Sequence, residues 1–158
     1  ERNDQMRRKK FGQILAAITM LFIIGNNINH KMCKVNGISM EPTLEDGDMI
    51  RMKRYSGSIK HGDVVAILSK DNHQYLIKRV IAYEGDELTI KNGIVAVNGK
   101  VIVRSHDIKH AIELKIPKGK VFVMGDNYKK SYDSREIGCL NMKDIIAYKD
   151  IPQKDARK

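Results

Sequence analysis

The chain has 158 residues, enough for one domain of ordinary size with a core of its own. Its 29 Lys and Arg stand against 19 Asp and Glu, a net charge of +10 that favours an anionic partner: a membrane surface, a nucleic acid or an acidic substrate. Aromatic residues make up 6% and Trp is absent, which speaks against a base-stacking surface and so against a nucleic-acid partner.

In chain order, Arg7-Arg8-Lys9-Lys10 is a basic cluster directly before an apolar run from Phe11 to Ile24, broken only by Gly12, Gln13 and Thr19. A helix over that run spans about 21 Å, short of a ~30 Å hydrocarbon core. A buried core helix, a cleaved signal peptide and a short membrane anchor all compete. Apolarity all round argues against a one-faced core helix. No small-residue cleavage site follows, since Asn26 to Lys31 are polar or bulky. Flanking cations can lengthen the effective span by snorkelling. The anchor is therefore expected over residues 11–28, with the basic residues 1–10 in the cytoplasm and the remainder outside.

Asn29 to Val35 reads as a polar link. Met49 to Met52 and Val64 to Leu68 read as strands, the second entered by a turn at His61-Gly62-Asp63. Tyr75 to Tyr83 is a β-rich run closed by Glu84-Gly85-Asp86. Leu88 to Ile90, Ile94 to Val97 and Val101 to Val103 form a meander with turns at Asn92-Gly93 and Asn98-Gly99, the strongest hairpin signals present. Arg104 to His110 is a polar loop. A turn at Pro117-Lys118-Gly119 precedes the strand Val121 to Met124, and Gly125 to Gly138 is loop. Asn141 to Tyr148 is a last element, helix or strand. The charged tail from Asp150 onward, residues 151–158 above all, reads as a frayed end. Dense turns between short strands predict a mainly β fold.

Three stretches carry chemistry. In Gly37-Ile38-Ser39-Met40-Glu41-Pro42-Thr43-Leu44, Pro42 biases Glu41 toward extended backbone, so Ser39 falls near the end of an extended segment before a turn. It is either a turn serine or a nucleophile awaiting a base. The stretch lacks the second glycine of a Gly-x-Ser-x-Gly elbow, and no Ser-x-x-Lys occurs. His61 and His73 have no motif around them. Lys78 stands inside an apolar strand and shares a face with Leu76 and Val80, opposite Arg79. It is either an edge lysine that snorkels to water or a desolvated amine able to act as general base. The third stretch, Gly125 to Gly138, holds Asp126, Ser131, Asp133 and Arg135; Asp133 and Arg135, two apart, could pair. Cys33 and Cys139 have no metal-ligand spacing, and their pairing is left open. His106 and His110 read as a solvated pair, and neither metal nor cofactor is expected.

Together and in this order, these stretches resemble the bacterial type I signal peptidases, membrane-bound serine–lysine endopeptidases. Ser39-Met40-Glu41-Pro42-Thr43-Leu44 with Gly47-Asp48 resembles the family's first box, and Gly62-Asp63-Val64-Val65 the second. Lys78-Arg79-Val80 with Gly85-Asp86 resembles the third, and Gly125-Asp126-Asn127, Ser131, Asp133-Ser134-Arg135 and Gly138 the fourth.

The resemblance implies an antiparallel β-sheet catalytic domain of the signal-peptidase and LexA-like type over residues 29–150, behind a single N-terminal transmembrane helix in the bacterial cytoplasmic membrane. It implies Ser39 as nucleophile, Lys78 as general base and Ser131 as the residue that orients the lysine. The oxyanion would be held by main chain at Ser39 and Gly37, because position 37 offers no hydroxyl. Asp126, Asp133 and Arg135 would support the site's loop, and Ile38 and Met40 would line pockets for an Ala-x-Ala sequence. The implied partners are signal peptides of exported preproteins, membrane lipid and, transiently, the secretion machinery. The chain is briefer than some members between Asp86 and Lys118, as in compact Gram-positive forms. Alternatives are a specialised processing peptidase of the same fold, such as a conjugative-transfer one, or a non-enzymatic membrane-tethered β module. A LexA-like repressor would need a helix-turn-helix domain for which residues 1–35 leave no room. The endoplasmic-reticulum branch carries histidine where Lys78 stands.

Overall fold

The structure, a computed structural model, describes residues 14–21, 25, 28–69 and 74–154. Two antiparallel sheets carry nearly everything. The larger has seven strands in the order β1-β2-β11-β3-β4-β9-β10. These are β1 (His30–Lys34), β2 (Met49–Arg54), β3 (Val64–Leu68), β4 (Tyr75–Tyr83), β9 (Lys120–Met124), β10 (Leu140–Asn141) and β11 (Ile145–Lys149). The smaller has the order β7-β6-β5-β8, from β5 (Glu87–Lys91), β6 (Ile94–Val97), β7 (Lys100–Arg104) and β8 (Ile112–Lys115). The mainly β expectation holds.

The sequence explains the strands locally. Val64 to Ile67 is an unbroken apolar run, and it is buried throughout because β3 lies inside the sheet with both faces covered. Glu87–Lys91 alternates exposed and buried, as a strand with one wet face must. Asn92 and Gly93, then Asn98 and Gly99, all have positive φ, the geometry that two-residue hairpins demand. At Gly93 a Cβ would also press into the Ser105 carbonyl, so the tight turn and a close backbone approach require the same glycine.

Two apolar clusters flank the large sheet: Val35, Met40, Met52, Val64 and Ala66 belong to one, Val65, Ile67, Val80 and Val123 to the other. A third, around Leu88, Ile90, Phe122 and Met124, joins the two sheets. At that junction Asp86 accepts hydrogen bonds from the Tyr83 N–H and Asn98 Nδ2 and pairs with His61 at 2.7 Å, while His61 stacks on Tyr83.

Several expectations need correction. The polar link before Val35 is strand β1, and Ile112–Lys115 adds a strand in the segment read as short loops. The final element is a 3₁₀ turn, Met142–Asp144, followed by a strand. The start of the tail is not frayed: Ile151 O accepts from Arg79, and the Lys154 N–H donates to Thr43 Oγ1. The expected anchor is described only in part. Residues 14–21 are helical and their large apolar side chains, Leu21 and Ile14 among them, are exposed. No helix among the described residues is long and apolar enough to cross a membrane. Residues 1–10, and His73, lie outside the described residues.

Candidate active site

Ser39 sits in a compact turn between β1 and β2, inside the turn rather than at the end of an extended segment. The Glu41 N–H donates to Ile38 O, and those of Thr43 and Leu44 donate to Met40 O. Val35, Met40 and Leu44 plug this turn into the core. From the opposite side, Asn127 clasps it: its N–H donates to Ser39 O at 3.0 Å and its Nδ2 to Ile38 O at 3.1 Å. Both carbonyls next to the nucleophile are thereby committed. Such a clasp needs close approach. A Cβ on Gly125 would overlap Ser131 Oγ and the Ser39 carbonyl oxygen.

Lys78 projects from β4 and is 4% exposed. Its strand neighbours two away, Leu76 and Val80, pack in one cluster, whereas Ile77 packs in the other, as strand alternation requires. Lys78 Nζ lies 2.6 Å from Ser39 Oγ. Among the described residues no carboxylate pairs with it. Burial holds its pKa below the ordinary lysine value; the nearby Asp133, Glu136 and Asp126 carboxylates oppose this and the Arg135 cation reinforces it.

Beneath this pair lies a rigid ionic frame. Arg79 grips Asp126 through two bonds, Nε to Oδ1 at 2.7 Å and Nη2 to Oδ2 at 2.6 Å, and gives Nη1 to the carbonyls of Gly62 and Ile151. Arg135 grips Asp133 in the same forked way, 2.8 and 2.9 Å, and donates to the carbonyls of Tyr128 and Ser131. Asp133 also accepts from the Gly125 N–H and caps the short helix α1 (Ser134–Ile137) in a capping box with Glu136. Burial alone would raise the Asp133 carboxyl. The Arg135 guanidinium and the Gly125 N–H outweigh it and hold the group below the usual range.

Of the residues singled out from sequence, Ser39 and Lys78 come together, and Asp126, Asp133 and Arg135 surround them. Ser131 is 7% exposed; its Oγ makes no hydrogen bond of good geometry among the described residues, but it lies near enough to Asp133 to help lower that carboxyl's pKa, and it packs against Gly125 rather than bonding to Lys78. The Gly37 N–H is not open to an oxyanion, because it donates to Asp46 Oδ1 at 2.7 Å. Met40 is buried within the turn and Ile38 is 37% exposed on its surface. His61 is committed to Asp86. His110 pairs with Glu136 at 3.2 Å and is not merely solvated. Cys33 and Cys139 are free thiols, and burial pushes both pKa values up. The family's boxes contain Arg79, Gly125 and Asn127, but the sequence assigned none of them a role in the site. The available signal for Arg79 was an arginine inside an apolar strand, which needs a buried partner.

A groove of about 750 Å³ opens over the pair, walled by Cys33 to Asn36 on one side and Tyr75 to Lys78 on the other, with Ala66 and Ile146 below. β9 pairs with β4 only from Arg79 onward, so residues 75–78 keep an unpaired strand edge facing this groove.

Comparison with known proteins settles what kind of chain carries this arrangement. The model of the family described as signal peptidase, peptidase S26, matches residues 8–153. The chain belongs to that family. It is 31% identical to signal peptidase I P of Bacillus subtilis subsp. natto, over 94% of this chain and 92% of that one. It is 32% identical to signal peptidase IB of Staphylococcus aureus strain Mu50, over 84% and 82%. A crystal structure of a signal peptidase I from Enterococcus faecalis V583 shares the fold, with a TM-score of 0.50 and 22% identity over 56% of this chain and 93% of the other. The antiparallel β architecture is thus that of the bacterial type I signal peptidases, and membership in this family makes the chain a serine peptidase. A repressor-type or non-enzymatic reading does not survive it.

Proposed function

We propose that this chain cuts signal peptides from exported preproteins after an Ala-x-Ala-like sequence, using Ser39 and Lys78 through an acyl-enzyme. The observation that carries the reading is the 2.6 Å contact between Ser39 Oγ and the buried, carboxylate-free Nζ of Lys78. A neutral amine there accepts the hydroxyl proton as Oγ bonds to the scissile carbonyl carbon. The proton then passes to the departing amine nitrogen as the C–N bond breaks. Water attacks the resulting ester, gives a proton to Nζ, and Ser39 regains its hydrogen. The Ser39 N–H, without a partner among the described residues, stabilises the oxyanion.

The acyl half of the substrate lies extended in the groove, adding a strand along residues 75–78, with small side chains entering its apolar floor. Met40 lines that groove, and Ile38, exposed on the turn beside it, is the second candidate contact. Residues 11–28 anchor the chain once in the cytoplasmic membrane, with the catalytic domain on the outer side, where it meets lipid and, transiently, the secretion machinery. The test is cleavage of a preprotein with an Ala-x-Ala site in lipid or detergent by the parent, Ser39→Ala and Lys78→Met. Cutting by the parent, lost in both variants, is the expected result. Cutting that persists in Lys78→Met would place the base elsewhere.

A further inference from the structure

A second cleft, of about 690 Å³, lies on the other side of the nucleophile turn. One wall is Glu41 and Pro42 of that turn. Another is Asn127 and Tyr128, continuous with the clasp on Ser39. The facing wall is Ile102 to Ser105 and Asp107, from β7 and the loop that follows it, and Lys154 of the docked tail closes one end. The groove over Lys78 and this cleft therefore flank Ser39, and Asn127 and the turn itself divide them. An extended chain that is cut at Ser39 has two halves. With the acyl half beside β4, the half that departs must leave across this turn.

The wall chemistry is charged on both sides. Glu41 is half-buried, Arg104, Asp107 and Lys154 are exposed, and among the described residues none of the four forms an ion pair, so Asp107 tempers the positive charge of the Arg104 wall. The nearby Asp126 carboxylate is consumed by Arg79. Two residues of backbone separate Glu41 from Ser39, at most about 7 Å, the length of two residues of an extended substrate. Tyr128 is fixed by Gln153 through its hydroxyl at 2.7 Å, so the cleft has a braced floor.

We infer that this cleft holds the first residues of the mature chain, with Glu41 selecting against an acidic residue at the second position after the cut and Arg104 favouring one further along. The inference rests on the peptidase reading above and adds a leaving-side specificity to it. Isolated, partly exposed charge pairs each change affinity by a few-fold at most, so the selection is graded rather than absolute.

The test uses the full chain in lipid and internally quenched peptides with one acyl half and varied leaving halves. At low salt, the parent should cut a peptide with Lys at the second leaving position about 5-fold faster in kcat/KM than one with Glu. Glu41→Lys should reverse that order, and Arg104→Glu should reverse the preference at a later position while keeping the first. Cutting the leaving half to a single residue should collapse the differences between parent and variants. The same charge preferences in parent and both variants would overturn the inference while leaving the peptidase reading intact. A folded parent that cuts none of the peptides would overturn the peptidase reading, and this inference with it.

Discussion

Lys78 and Arg79 are neighbours on one strand, both buried, and their surroundings are opposite. Arg79 is held by a carboxylate in two bonds and by two carbonyls, so its charge is fully answered. Lys78 has a hydroxyl at 2.6 Å and no carboxylate partner among the described residues. Strand alternation sends one into the ionic frame and the other over the nucleophile. One environment builds the molecule and the other lets it react. A buried cation with a forked partner is a structural member. A buried amine left without one is cheapest when neutral, and that state is what a general base needs.

Removing each charge in turn, with activity and unfolding both measured, separates the two residues most sharply. Lys78→Met should lower kcat by roughly four orders of magnitude or more, as loss of a member of a catalytic pair does. It should not lower the thermal midpoint near neutral pH. The sign follows from linkage. Lys78's pKa is lower folded than unfolded, so at pH below the folded value the native state carries the full cost of the buried charge. That cost disappears as pH rises toward the ordinary value near 10.5. The parent should therefore gain stability relative to Lys78→Met across that window, and its cleavage rate should rise with pH at the window's lower edge. A parent whose stability relative to the variant stays flat up to that ordinary value would mean the lysine is held charged.

Asp126→Ala tests the other side. It leaves the Arg79 guanidinium buried without its carboxylate, a change that typically costs about 3–5 kcal/mol. Denaturant unfolding should show a loss of that size, with activity falling only as far as the native population does. Gly125→Ala should do the reverse. Its new methyl meets Ser131 Oγ and the Ser39 carbonyl, so it displaces the nucleophile turn. A displacement near 1 Å costs about 100-fold in rate. Preprotein cleavage should fall by that factor, and a normal rate in Gly125→Ala would mean the clasp from Asn127 does not position Ser39.

Much of this contrast was legible in the sequence, for reasons that differ by residue. The alternation of Lys78 and Arg79 follows from the two-residue period of a strand, and the hairpins at Asn92-Gly93 and Asn98-Gly99 follow from positive φ. Strand β1 was not legible. His-Lys-Met-Cys-Lys has no apolar alternation, and it becomes a strand only because β2 offers it a ladder from His30–Lys53 to Lys34–Met49. The Gly37 N–H could not be assigned either, since its partner, Asp46, is reached only when the turn folds back on itself. Asp133 and Arg135 announced a pair by spacing alone. Arg79 and Asp126 are 47 positions apart, and a match over that distance is visible only once β4 and β9 lie side by side.

Ser131 lies between the two regions and gives the finest division. Its loop belongs to the ionic frame, for its carbonyl accepts from Arg135, yet its buried hydroxyl makes no well-formed hydrogen bond among the described residues and only lies near Asp133. As a structural group it contributes little, because it makes no well-formed hydrogen bond and only helps to hold the Asp133 carboxyl ionised. Ser131→Ala should then change stability little. As an acceptor for the Lys78 amine during turnover, the same hydroxyl would orient the lone pair toward Ser39 and stabilise the ammonium more than the amine. On that role the variant's plateau rate should fall about 10-fold, with the pH of half-maximal rate moving downward. A variant that matches the parent in both plateau and profile would assign Ser131 wholly to the frame. The lysine's orientation would then come from strand β4 and its apolar neighbours alone.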